Sequence, residues 1–239
     1  MTAVLELRAV TRVHGSGHTQ VDALIDASMT VEPGELVAVM GPSGSGKTTM
    51  LSLAGGLDAP TVGSVLVEGV DLATLDQKGL ARIRRRRVGY VFQSFNLIEG
   101  LTAVENVSLP LELDGVKRRD ARAAAMDGLE AVDLTSFADR FPDELSGGEQ
   151  QRVAIARAIV GDRTLLLADE PTGALDTLTG ESVLRLMRAH CDQGKSGVLV
   201  THDARFAAWA DRIIFLRDGR IVDQTEPADE PESLLGTSR

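Results

Sequence analysis

The chain has 239 residues, enough to bury a full core as one α/β domain, and its single cysteine, Cys191, leaves no intramolecular disulfide and reads as a buried or bystander thiol. Its 35 acidic and 25 basic residues give a formal net charge of −10, which argues against the basic face a nucleic-acid binder needs and removes DNA and RNA from the expected partners. No window approaches the roughly 20 consecutive apolar residues of a bilayer-spanning helix, and the start Met1-Thr2-Ala3-Val4-Leu5-Glu6 lacks the charged and apolar regions of a signal peptide, so a cytosolic location is expected.

Alternating runs near Val4 to Val10 and Ala23 to Val31, and again from Ser64 to Gly69, predict strands of a small antiparallel sheet beside a parallel core. Between them the apolar run Leu36 to Met40 leads into Gly41-Pro42-Ser43-Gly44-Ser45-Gly46-Lys47-Thr48, and Thr49 to Ala54 continues as a helix. The spacing is G-x-x-x-x-G-K-[S/T], a phosphate-binding loop set between strand and helix. Glycines let the backbone wrap phosphates with its N–H groups turned inward, and the helix adds the positive end of its dipole. Lys47 then reaches the β- and γ-phosphates, and the Thr48 hydroxyl can join a Mg²⁺ shell. A nucleoside triphosphate is the expected ligand; the bland alternative is a flexible Gly/Ser turn.

Further on, Arg82 and Arg84 to Arg87 form a dense basic run. It reads either as the solvated end of a helix or as a patch attracted to anionic headgroups. Residues from about Thr102 to Val132 turn helical, with Thr102-Ala103-Val104-Glu105 fitting a capping box. After Ser146 α/β alternation returns: a helix from about Glu149 to Val160, a strand at Thr164 to Ala168, a helix from about Thr177 to Cys191, and strands near Gly197 to Val200 and Arg212 to Leu216. Such a parallel sheet binds ligands at the carboxyl ends of its strands. There Leu165 to Ala168 ends in Asp169 and Glu170, one carboxylate suited to holding Mg²⁺ and the other to activating the attacking water. Residues 226–239 are acidic and carry Pro227 and Pro231, the composition of a flexible solvated tail.

Leu145-Ser146-Gly147-Gly148-Glu149-Gln150-Gln151-Arg152 joins these motifs in order, and with it the chain resembles the ATP-binding cassette (ABC) ATPases. The resemblance runs from about Leu5 to Val222. It implies a phosphate-loop NTPase (RecA-like) α/β core with an antiparallel β subdomain and an inserted α-helical subdomain. Residues 1–225 would form one domain, the core spanning about 1–94 and 155–225 and the helical part about 95–154. It further implies ATP hydrolysis with Mg²⁺. Gly41 to Thr49 would cradle the phosphates, and Ser146, Gly147 and Gly148 of a second copy would close the site in a head-to-tail homodimer. Gln93 resembles the Q-loop glutamine that senses Mg²⁺ and γ-phosphate, Asp176 in Ala174-Leu175-Asp176 the D-loop, and His202 the switch histidine. Where the family stacks an aromatic ring on adenine this chain has Val13-His14, so the His14 imidazole is the expected substitute.

Gly55-Gly56-Leu57-Asp58, Leu101 to Val107 with Leu109-Pro110-Leu111, and Leu167 to Asp176 resemble the lipoprotein-release and macrolide-export branch. That implies an ATPase subunit powering a separate integral-membrane permease, held at the cytoplasmic face of the membrane through that partner. An importer cassette, a soluble cassette acting in translation or repair and a silent scaffold are the alternatives; one cassette without a long coiled coil speaks against the second, and retention of Lys47, Asp169, Glu170 and His202 against the third. In the family a permease helix enters a groove near Gln93 to Leu101, where Phe92, Phe95, Leu97, Ile98 and Leu101 would either receive it or pack the subdomain joint.

Overall fold

A long hairpin opens the chain, β1 (Leu5–His14) and β2 (Val21–Val31), followed by β3 (Leu36–Met40) and α1 (Lys47–Ala54). Next come β4 (Val62–Val67), β5 (Val70–Asp71), α2 (Gln77–Arg86) and β6 (Val88–Val91), then three helices in succession, α3 (Ala103–Leu113), α4 (Arg118–Glu130) and α5 (Gly147–Ile159). The last third alternates through β7 (Leu165–Asp169), α6 (Thr177–Asp192), β8 (Ser196–Val200), α7 (Ala204–Ala207), β9 (Arg212–Arg217) and β10 (Arg220–Gln224). This computed structural model describes residues 2–173 and 175–225; the expected acidic tail, 226–239, and Ala174 lie outside the described residues.

Two sheets result. One is antiparallel in the order β2-β1-β4-β5, and the other runs β10-β9-β3-β8-β7-β6 with every neighbouring pair parallel except β10 and β9. Strands β3, β7 and β8 are apolar on both faces, because both are covered. The period-2 alternation sends Val37, Val39, Leu165, Leu167, Val198 and Val200 toward α1 and the antiparallel sheet. It sends Leu36, Leu166, Ala168 and Leu199 to the opposite side, where they meet residues of α3 to α6. Helix α1 therefore lies between the sheets, with Met50, Leu51, Leu53 and Ala54 buried.

Several boundaries move from their expected places for local reasons. Strand β1 runs on to His14 because Ala9, at φ 47°, forms an irregularity that lets pairing with β2 resume beyond it, its N–H donating to the Ser28 hydroxyl. Helix α5 begins at Gly147, since the Ser146 hydroxyl accepts from the Glu149 N–H while the Glu149 carboxylate accepts from the Ser146 N–H. Strand β10 answers no sequence expectation; Arg220 to Gln224, exposed except for half-buried Ile221, carry little apolar pattern and pair through the backbone.

The basic run lies in the last turn of α2, where cations face the negative end of the helix dipole. Arg84 to Arg87 have partners: Arg84 donates to the Gly56 carbonyl, Arg85 and Arg86 face Asp114, and Arg87 pairs with Glu68. Cys191 is buried and burial pushes its thiol up to about 12, which leaves it unreactive.

Candidate functional site

Four strands deliver their carboxyl ends to one edge of the parallel sheet. Val200 of β8 pairs with Val39 of β3 on one side and Asp169 of β7 on the other, and Ala168 pairs with Val91 of β6. The loop after β3 is Gly41 to Gly46, the residue two beyond β6 is Gln93, and the residue two beyond β8 is His202. Topology alone thus gathers four segments far apart in sequence.

The phosphate loop needs its glycines for two distinct reasons. Gly46 has φ 104°, in the left-handed region, and a Cβ there would collide with the Ala23 carbonyl oxygen of β2. Gly41 has no such φ, yet a Cβ would collide with the Leu216 carbonyl oxygen of β9. Inside the loop, the buried Lys47 ammonium donates to the carbonyls of Gly41 at 2.8 Å and Pro42 at 2.9 Å. Thr48 and Thr49 open α1 immediately behind it, and Pro42, Ser43 and Gly44 form its exposed tip. Ser45 is buried and its hydroxyl has no hydrogen-bond partner.

Asp169, also buried, has the Thr48 hydroxyl beside it. Burial raises its carboxyl above the ordinary value; the Thr48 hydroxyl and the Lys47 charge oppose that rise, and the neighbouring Glu170 charge adds to it. Hydroxyl and carboxylate oxygens side by side are the hard donor set a Mg²⁺ ion takes. Glu170 is held at φ 46°, a left-handed conformation that is strained for a non-glycine residue, by its N–H donating to the Val200 carbonyl at 3.0 Å and its own carbonyl accepting from the Gly173 N–H. His202 Nδ1 lies 3.3 Å from Glu170 Oε2, and both side chains line one cavity of 160 Å³.

The remaining expected site residues make other contacts. Gln93 is exposed beyond β6. The hairpin end with His14, opposite Val21, is exposed and comes to the loop through Ala23 against Gly46. Asp176 caps α6, accepting from the Thr179 N–H at 3.0 Å and from the Thr179 hydroxyl. Ser146, Gly147 and Gly148 sit at the start of α5, where Gly147 faces the Phe95 ring and Gly148 the Leu175 side chain; neither glycine has the phosphate loop as its nearest neighbour. One chain therefore gathers the loop, the paired acids and the histidine but leaves the Ser-Gly-Gly turn facing elsewhere.

Motif spacing did not single out Arg157, on α5. Its guanidinium donates to the carbonyls of Asn96 at 2.6 Å and Phe95 at 2.8 Å. The signal was a lone charge in the otherwise apolar run Val153-Ala154-Ile155-Ala156-Arg157-Ala158-Ile159.

A family model described as ABC transporter matches residues 24–173. The macrolide export ATP-binding/permease protein MacB of Salmonella typhimurium is 46% identical over 236 residues, covering 99% of this chain and 36% of that protein, so the chain spans about a third of the length of these relatives. An ABC transporter ATP-binding protein of Thermotoga maritima, itself uncharacterized, is 46% identical over 221 residues, 92% of this chain and 94% of that one. Among solved structures, the dimeric post-hydrolysis state of the ATP-binding cassette MJ0796 bound to ADP and Pi superposes with a TM-score of 0.88 at 42% identity, covering 93% of this chain and 98% of that one.

Proposed function

This chain belongs to the ABC transporter family, and from that premise we propose that it is the ATP-hydrolysing cassette that powers a membrane permease of the macrolide-export and lipoprotein-release type. The observation that carries the reading is the cluster of Lys47, Thr48, Asp169, Glu170 and His202 at the carboxyl ends of the parallel strands.

The backbone N–H groups of the phosphate loop cradle ATP, and Lys47 moves from the Gly41 and Pro42 carbonyls to the β- and γ-phosphates. Thr48, Asp169 and Gln93 would hold Mg²⁺, which when bound neutralises charge on the phosphate oxygens. Glu170 takes a proton from a water whose oxygen attacks the γ-phosphorus; the bond from that phosphorus to the bridging oxygen breaks, and ADP and phosphate result. His202, beside Glu170, orients that carboxylate and reaches the γ-phosphate. Ser146, Gly147 and Gly148 of a second copy, with Asp176 at the same face, complete each site in a head-to-tail pair, and His14 stacks on adenine.

Residues 95–154 form the helical subdomain of this reading, and the open groove of about 790 Å³ beside it, lined by Phe95, Leu97, Glu99, Phe141 and Gln150, is the docking place for the permease. No helix among the described residues is long and apolar enough to cross a membrane; in this reading the permease supplies the membrane part and holds the cassette at the cytoplasmic face. The test compares wild type with Glu170→Gln for Mg²⁺-dependent phosphate release. We expect a loss of roughly 10²- to 10⁴-fold with ATP binding retained. Turnover at the wild-type rate in the variant would remove Glu170 from the chemistry, and an inactive wild type would overturn the ATPase reading.

A further inference from the structure

The segment that follows β6 is held in an unfavourable shape. Phe95 and Asn96 have φ of 57° and 52°, left-handed for two consecutive non-glycine residues, the first of them aromatic. Such a turn persists only where its surroundings over-determine it. Upstream, the Phe92 ring is stacked on Tyr90, with centroids 4.2 Å apart. Downstream, the two carbonyls of the turn accept from the two terminal nitrogens of Arg157. Exposed Gln93 and Ser94 hang between these two anchors.

Arg157 has no carboxylate within salt-bridge distance among the described residues, and burial lowers its guanidinium to about 10, still charged at neutral pH. Its own backbone carbonyl accepts from Arg163, whose guanidinium also receives no carboxylate and instead binds the carbonyls of Ala158 and Arg85. A partly buried cation left with carbonyl dipoles alone is costly to keep. Here the carbonyls it binds are those of the strained turn. The same helix begins at Ser146-Gly147-Gly148, eleven residues back (157 − 146), about 16 Å at the α-helical rise. The turn touches that end too, through the Phe95 ring beside Gly147.

We propose that Arg157 is a positioning residue that latches the Gln93 loop along α5, so that Gln93 and the Ser146–Gly148 turn move as one body. The proposal rests on the ATPase reading for its functional consequence, but the latch itself is a property of the backbone. Without it the two left-handed residues relax, Gln93 loses its downstream anchor, and hydrolysis slows while the phosphate loop still binds nucleotide.

Arg157→Ala and Arg157→Lys are to be compared with wild type in two measurements, steady-state MgATP hydrolysis and amide hydrogen exchange. We expect kcat to fall about tenfold in Arg157→Ala, with KM changed less than about twofold and a smaller loss in Arg157→Lys, which can reach only one carbonyl. Exchange should speed up at the amides of Phe95 and Asn96 while those of β6 and mid-α5 stay protected. Unchanged exchange at residues 95 and 96 in a folded variant would overturn the latch, as would loosening spread over all of α5 or failure of both variants to fold, either of which assigns Arg157 to core packing. An inactive wild type would sink the ATPase reading, leaving the exchange comparison to decide the latch.

Discussion

Lys47 uses two of its ammonium protons on the loop carbonyls of Gly41 and Pro42, so the cation is already aimed into the concavity it is expected to serve. A charged hydrogen bond is worth about 1.5–3 kcal/mol, so Lys47→Ala should weaken ATP binding roughly tenfold to a hundredfold in a titration with a fluorescent ATP analogue, the fold remaining intact. Asp169 makes the opposite demand on stability. Its folded carboxyl titrates above the ordinary 3.8 because it is buried, so the folded state keeps its proton longer than the unfolded chain, and stability is lost as pH rises from about 3.8 through the folded value. Asp169→Asn removes that charge. Its melting temperature should exceed wild type at neutral pH, the gap closing as the pH approaches about 4, while hydrolysis is lost; a gap of equal size at both pH values would show that the carboxylate's charge is not the cause.

At the level of elements, two helices start on reciprocal caps. Thr102 and Glu105 open α3, and Ser146 and Glu149 open α5. In both, the N-cap N–H bonded to the glutamate is the largest cause holding its carboxyl below the ordinary 4.5, ahead of the N-cap hydroxyl. Their contribution is therefore complete above about pH 4.5 and fades as pH falls through the lower folded values. Thr102→Ala should cost about 1 kcal/mol in urea unfolding at neutral pH, and Thr102→Ser almost nothing. Equal midpoints for wild type and the alanine variant would mean the cap adds nothing to stability. The start of α5 was expected only at about Glu149, but the α3 cap was legible as T-x-x-E spacing, since a cap is made by residues three apart. Strand β10 was not, because its pairing partner β9 supplies what its own pattern lacks.

For the whole molecule, the question is why Ser146 to Gly148 face Phe95 and Leu175 rather than the phosphate loop. In a head-to-tail pair the two halves of a site come from different copies, which makes a complementation experiment decisive. Lys47→Ala spoils both sites of its own homodimer through the loop, and a Ser146→Arg variant spoils both through the signature turn. Mixed, they assemble one intact site in each heterodimer, so equimolar mixing should restore up to about a quarter of wild-type ATPase activity, half of the dimers being mixed with one good site of two. Activity no greater than the two variants alone would count against shared sites.

The sequence by itself determined the local chemistry: the phosphate loop between strand and helix, the acids ending β7, the histidine after β8 and the cap of α3 depend on residues within one turn or one strand of each other. Composition argued against a nucleic-acid surface from charge alone, since net charge is a sum and needs no coordinates. Only the tertiary structure decided which of these segments meet. It brought Thr48 to Asp169 and Glu170 to His202, contacts between residues 121 (169 − 48) and 32 (202 − 170) apart. It also decided that the arginines at the end of α2 are already partnered and that Arg157 grips a strained turn rather than an acid. A cation's sequence neighbours say what it can bind; its partner, and the conformation that partner must hold, depend on helices and strands packed across the core from one another.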